Sequence, residues 1–162
     1  MVGAHEVVPE LLSPIPPRNI TRMTPDAHER RNIALAMEAA LRLGELDVGQ
    51  GAIAAGGRVV ALEGAEGTDQ MIERVHELRQ AGRISKHGGV LVKMAKPRQD
   101  GRADLPAIGV STVENAARAG LSGIVIEAGR TFILGLGETM AAANEKGLFI
   151  ETISRSTKDT IG

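Results

Sequence analysis

The stretch GGVLVKMAKPRQDGRADLPAIG, residues 88–109, decides how this chain is read. Its first part, GGVLVKMA, is a short apolar run bounded by glycine, the pattern of a buried strand. Its second part sets Lys93, Lys96, Arg98, Asp100, Arg102 and Asp104 around two stiffening prolines, Pro97 and Pro106. Proline has no N–H for a sheet ladder, so the strand is expected to end near Ala95. Lys93 then lies late in the strand and Lys96 at its mouth. A buried strand that opens into a rigid, charged loop is where α/β folds place ligands.

The flanking sequence supports that class. TPDAHERRNIALAMEAALRLG (24–44) reads as a helix, with Thr24 as cap, Pro25 at the first helical position and Gly44 as stop. VGQGAIAA and RVVALE are β-type runs joined at Gly56-Gly57, a hairpin signal. A second helix follows in EGTDQMIERVHELRQAG, capped by Thr68, with Met71, Ile72, Val75 and Leu78 on one face. STVENAARAG carries Ser111 and Glu114 in capping-box spacing, with Gly120 as its end. GIVIEAG and TFIL flank a turn at Gly129-Arg130, GETMAAANEKG is a short helix, and LFIETI is a final strand. Strands alternate with helices and one hairpin is implied. The expected fold is therefore a single α/β domain, a mixed β-sheet flanked by helices.

Before this domain, Pro9, Pro14, Pro16, Pro17 and Pro25 make residues 1–23 an extended linker, and GAHEVV within it looks like a strand with no partner nearby. The domain proper is expected over 24–153. Residues 154–162 read as a polar, mobile tail.

Composition excludes several functions. The 162 residues are 43% hydrophobic and 24% charged, with two Phe and no Trp or Tyr. Core volume must come from aliphatic side chains, and no aromatic platform exists for stacking nucleic-acid bases. A net charge of −1 gives no basic footprint for DNA or RNA. The absence of cysteine excludes disulfides and thiolate metal sites. No window reaches the roughly 18 apolar residues of a spanning helix, and no signal peptide is visible, so a cytoplasmic protein is expected. His5, His28, His76 and His87 lack metal-site spacing, and His76 is expected near the surface. There is no GxSxG, Walker A or GxGxxG element.

Three clusters could carry chemistry. In the first, Lys93 and Lys96 are compact cations suited to phosphate oxygens. Beside them Asp104, between a turn at Asp100-Gly101 and Pro106, could bind a hard divalent ion or orient water. A solvated turn with surface ion pairs, each contributing about 0–1 kcal/mol, is the competing reading. A lysine inside VLVKMA argues against it, because it must be paired, snorkelling or functional. In the second, EGAEGTD (63–69), the acids Glu63, Glu66 and Asp69 recur through a glycine-rich turn into a helix start, where they could share a metal with a bound phosphate or simply cap the helix. The third, DVGQG (47–51), is either a ligand-facing loop or a tight helix-to-strand connection. Glu127 is a further acid at a strand end.

LDVGQGAIAAGGRVVALEGAEGTDQMIERV, GVLVKMAKPRQDGRADLPAIG and AGLSGIVIEAGRTFILGLGETMAAANEKGLFI together resemble the C-terminal domain of the LpxI-type UDP-2,3-diacylglucosamine pyrophosphatases. The likeness runs over almost all of residues 24–150, and GAHEVVPELL resembles the family's interdomain segment. It implies hydrolysis of a lipid-linked sugar nucleotide to lipid X and UMP in lipid A synthesis, with Mg²⁺ (or Mn²⁺) as cofactor. By the same resemblance, Asp104 is the acid needed for hydrolysis and a metal ligand, with Lys93 and Lys96 close to the substrate. The resemblance also implies that Gly49, Gln50 and Gly51, with Gly67, Thr68 and Asp69, line the substrate cleft. Family members carry an N-terminal domain that is missing here, so the chain is expected to be a C-terminal half with little or no activity alone. Peripheral contact with the inner face of the inner membrane and a homodimer are further options the resemblance leaves open. Two other readings remain: a non-catalytic module that binds a sugar nucleotide or phosphate, and a dimerisation module.

Overall fold

A computed structural model describes residues 12–97 and 103–155. In chain order these form α1 (Ala27–Glu45), β1 (Gly51–Ala55), β2 (Arg58–Leu62), α2 (Thr68–Gln80), β3 (Val90–Lys93), β4 (Lys96–Pro97) and β5 (Ala103–Asp104). They continue with β6 (Ala107–Ile108), α3 (Val110–Arg118), β7 (Gly123–Glu127), β8 (Phe132–Ile133), α4 (Leu136–Lys146) and β9 (Phe149–Ile153). The main sheet runs β2-β1-β3-β7-β9. Its β3, β7 and β9 are parallel, whereas β1 is antiparallel to both β2 and β3. The mixed α/β architecture expected from the sequence is the one found. Two small ladders, β4-β5 and β6-β8, sit beside the sheet.

The central strands are apolar along their whole length because both faces of the sheet are covered. Period-two alternation then sorts the side chains. Ala52, Ala54, Val90, Val92, Val125 and Phe149 pack with Ile33, Met37 and Ala40 of α1. Ile53, Leu91, Ile124, Ile126 and Ile150 pack with Met71, Ile72 and Val75 of α2, Val113 and Ala116 of α3, and Ala143 of α4. Small residues are chosen where elements approach closely. A Cβ on Gly123 would stand 2.4 Å from ring atoms of Phe149 on the neighbouring strand, so glycine is required for the ring to lie there.

Buried polar side chains fasten the amino edge of the parallel strands. Glu29 accepts from the Gly89 N–H at 3.0 Å and from Asn32 Nδ2 at 2.7 Å, and Asn32 Oδ1 accepts from the Gly57 N–H at 3.0 Å. Arg79 donates to the carbonyls of Ala119, Ser85 and Gly88. Burial holds its pKa below the usual arginine value, with the charge of Glu29 opposing the shift. Residues 12–21 lie along the far edge. Ser13 donates to Thr131 O at 2.8 Å, Ile20 to Ile150 O at 2.9 Å, and Thr152 to Arg18 O at 2.8 Å. That proline-rich segment therefore covers the edge beside β9.

Helix starts differ from the sequence expectation. Asp26, not Thr24, caps α1, its carboxylate accepting from the Glu29 N–H at 2.8 Å. Three start signals stand in a row at Thr24-Pro25-Asp26, and only the last is spaced to reach that amide. Gly67, not Thr68, is the N-cap of α2, because the Thr68 hydroxyl is bonded to Glu63 instead. At α3 the N-cap is Gly109, whose N–H donates to Thr112 Oγ1 at 3.1 Å; the Ser111–Glu114 capping box does not form. The expected GAHEVV strand lies outside the described residues, as does the tail from residue 156 onward. Arg155, assigned to a mobile tail, is instead bonded to Glu127 at 2.8 Å.

Candidate active site at the carboxyl edge of the sheet

Sheet register brings distant residues together. Lys93 ends β3 and pairs with Ile126 of β7 on one side and with Gly51, the first residue of β1, on the other. Because β1 runs the opposite way, its entry loop meets the exit of β3, and the exit of β2 meets it as well through the Ala52–Leu62 pair. The loops 47–51 and 63–69, Lys93 and Glu127 therefore share one edge. The amino edge is closed by the Glu29 and Arg79 networks.

Glu63 organises the first part of that edge. It is 8% exposed. Its Oε1 accepts from the Gln50 N–H at 2.7 Å, and its Oε2 from the Thr68 hydroxyl at 2.6 Å. One carboxylate thus ties the DVGQG loop to the start of α2. Gly49 permits the contact, since a Cβ there would lie 2.3 Å from the Glu63 carbonyl oxygen. The Gln50 side-chain amide reaches across to donate to the Asp104 carbonyl.

Lys93 is 7% exposed, and its Nζ donates to Ala107 O at 3.2 Å. Burial pushes its pKa below the ordinary lysine value, and the negative charges of Glu63 and Asp69 act in the opposite direction. The buried cation therefore feels the acids of the 63–69 segment. Three residues past the end of β3, Lys96 pairs across the β4-β5 ladder with Asp104. Its Nζ lies 3.0 Å from Asp47 Oδ1 and 3.9 Å from Asp104 Oδ2. The Asp104 carboxylate is 42% exposed and open to a ligand. Asp104 is thus a strand residue held by a ladder and by Gln50, rather than part of an irregular loop. Arg98, Asp100 and Arg102 lie outside the described residues.

The acids of EGAEGTD do not share a site. Glu63 is engaged as above, Glu66 pairs with Arg74 at 2.7 Å, and Asp69 accepts from Asn115 at 3.1 Å. Among the described residues, no group of three or more His, Asp or Glu is placed to hold one metal ion. Asp47, which pairs with Lys96, carried no separate signal in the sequence.

A second cluster was visible only through Glu127. This acid is 2% exposed, accepts from the Ala95 N–H at 3.0 Å, and bonds Arg155 Nε at 2.8 Å and Nη2 at 3.2 Å. Arg155 also donates to the Ala95 carbonyl. Glu127 and Arg155 therefore bracket the residue that precedes Lys96. An acid inside GIVIE must be paired, and that was the available signal. Nothing in the sequence pointed to its partner.

The α/β domain thus sets a buried lysine, a second lysine, a ladder-held aspartate and glycine-rich loops at one sheet edge, where such folds place their ligand sites. The model of the LpxI C-terminal domain family matches residues 16–151. The chain is also 45% identical over 150 residues to the UDP-2,3-diacylglucosamine pyrophosphatase LpxI of Caulobacter vibrioides (strain ATCC 19089 / CIP 103742 / CB 15), an alignment covering 91% of this chain and 53% of that protein. The chain belongs to the LpxI family and carries its C-terminal domain. It spans about half the length of the curated relative it matches. No helix of the described residues is long and apolar enough to cross a membrane.

Proposed function

We propose that this domain is the C-terminal half of a UDP-2,3-diacylglucosamine pyrophosphatase, which hydrolyses its substrate to lipid X and UMP and needs the family's N-terminal domain for activity. The reading rests on one observation above all. Lys93 ends β3 and Lys96 follows it at the same strand exit, where it pairs with Asp104 across the β4-β5 ladder, all within residues that match the family.

In the reaction, a water oxygen forms a bond to phosphorus while the bond to the bridging oxygen breaks, and the water's protons leave to solvent or to the departing phosphate. Negative charge grows on the phosphate oxygens. Lys93 and Lys96 face that charge from fixed positions, Lys93 held by the Ala107 carbonyl and Lys96 by the ladder to Asp104. Preorganised cations in a poorly hydrated site act more strongly than the same charges in water. Gly49, Gln50 and Gly51, with Gly67, Thr68 and Asp69, form the cleft wall that orients the substrate.

The donor set suits Mg²⁺ or Mn²⁺. Mg²⁺ commonly takes one or two carboxylates and completes its shell with water and substrate phosphates, so a half-exposed Asp104 is a sufficient protein ligand. When bound, the ion would neutralise charge on the phosphate oxygens.

The test is UMP release from UDP-2,3-diacylglucosamine with Mg²⁺, by this chain alone and with the N-terminal half of the Caulobacter relative added in trans. Release in the mixture alone is the expected result. Silence in both, with the chain folded, would remove the enzymatic reading in favour of a binding or dimerisation module.

A further inference from the structure

The Lys93–Lys96 region does not account for all the positive charge on the carboxyl edge. Arg130 and Arg155 both stand on Glu127, at the end of the strand next to β3. Among the described residues one buried carboxylate faces two guanidinium groups, an excess of positive charge. The two arginines are held differently. Arg155 is fixed by both Glu127 oxygens and by the Ala95 carbonyl, yet its side chain remains 40% exposed. Arg130 is 44% exposed. Its Nε is buried 3.6 Å from Glu127 Oε2 and has no hydrogen-bond partner among the described residues.

Their position relative to the lysines follows from the backbone. Arg155 lies against the carbonyl of Ala95, the residue immediately before Lys96. Adjacent strands stand about 4.8 Å apart, so the arginine pair adjoins the lysine pair without occupying its place. Asp47 and Asp104 balance the charge of Lys96. On the Glu127 side nothing among the described residues balances the second guanidinium.

We propose that Arg130 and Arg155, seated on Glu127, form a second oxyanion contact that takes a phosphoryl group of the same substrate whose other phosphoryl group meets Lys93 and Lys96. This deepens the pyrophosphatase reading and rests on it for the identity of the substrate. Guanidinium groups suit the role because their planar donors match phosphate oxygens in pairs. Glu127 is the positioning residue. It holds the Arg155 guanidinium by two hydrogen bonds, draws that of Arg130 to 3.6 Å and, through the Ala95 N–H, fixes the strand exit on which Lys96 sits. The two anion contacts are thus held in register by one buried acid.

The probe is inorganic pyrophosphate, titrated into the 162-residue chain by calorimetry at low ionic strength. Saturable binding that weakens with added salt is expected. Arg130→Gln should weaken it at least five-fold without altering the circular dichroism spectrum, since the buried Nε of that side chain makes no hydrogen bond among the described residues. Arg130→Lys should fall between the two. Arg58→Gln, the same charge change on an exposed residue of β2, should leave affinity as it was. Equal affinity for Arg130→Gln and Arg58→Gln overturns the inference, and so does an absence of saturable pyrophosphate binding by the unaltered chain. The two readings fail separately. Arg130-dependent pyrophosphate binding without UMP release in any mixture would remove the reaction and keep the anion contact. UMP release with affinity indifferent to Arg130 would do the reverse.

Discussion

Replacing Glu63 separates what its two oxygens do from what its charge does. Both oxygens accept short bonds, from the Gln50 N–H at 2.7 Å and the Thr68 hydroxyl at 2.6 Å, in a residue 8% exposed. A hydrogen bond to a charged group contributes roughly 1.5–3 kcal/mol. Glu63→Ala removes both and strands the Gln50 amide, so its expected cost is about 3–5 kcal/mol. Glu63→Gln behaves differently. Its remaining carbonyl oxygen can still accept from the Gln50 N–H, and its new amide can donate to Thr68, whose hydroxyl can turn to accept. Only charge assistance is lost, about 1–2 kcal/mol.

Urea unfolding followed by circular dichroism is the appropriate assay, because the chain has no Trp or Tyr for fluorescence. With a slope of about 2 kcal/mol per M, Glu63→Ala should lower the midpoint by roughly 2 M and Glu63→Gln by under 1 M. Equal losses in the two variants would show that the bonding geometry contributes nothing. A cost below about 0.5 kcal/mol for Glu63→Ala, the level of an ordinary surface change, would refute the picture of a carboxylate bridging two loops.

Three further outcomes follow from the same geometry. Burial lowers the Lys93 pKa, so the unfolded chain holds that proton more tightly, and the stability of the unaltered domain should rise relative to Lys93→Met as pH climbs toward the ordinary lysine range of about 10.4; thermal melts from pH 7 upward check this, and a difference that is flat or moves the other way contradicts it. Gly123→Ala places a methyl group 2.4 Å from the Phe149 ring and should cost about 1–3 kcal/mol by urea unfolding, with no loss if the ring can step aside. In the mixture of this chain with the Caulobacter N-terminal half, Asp104→Ala should reduce UMP release by at least about 100-fold, the lower range for loss of a positioned catalytic group; activity within a few-fold of the unaltered mixture would detach Asp104 from the chemistry.

The sequence disclosed the fold through features that act locally. Apolar runs bounded by glycine marked β1, β3 and β7, and a lysine inside VLVKMA marked the strand exit as a candidate site before any pairing was known. Features that depend on a distant partner were hidden. Thr68 has the credentials of a helix cap, yet its hydroxyl is taken by Glu63, because the register of β1 and β2 brings the glutamate to the start of α2. Arg155 looked like part of a solvated tail, since its partner Glu127 lies 28 residues earlier on a different strand. A single sequence records that such charges exist but not which will meet. The unusual residue types were nevertheless informative. Lys93 and Glu127 each interrupt an otherwise apolar strand, and each proves to be where the fold anchors a cluster of charge. A buried charge is costly to keep unless something repays its desolvation. Lys93 and Glu127 carry opposite charges on adjacent parallel strands at the same edge, and stability alone does not require either, since apolar residues at both positions would serve it as well.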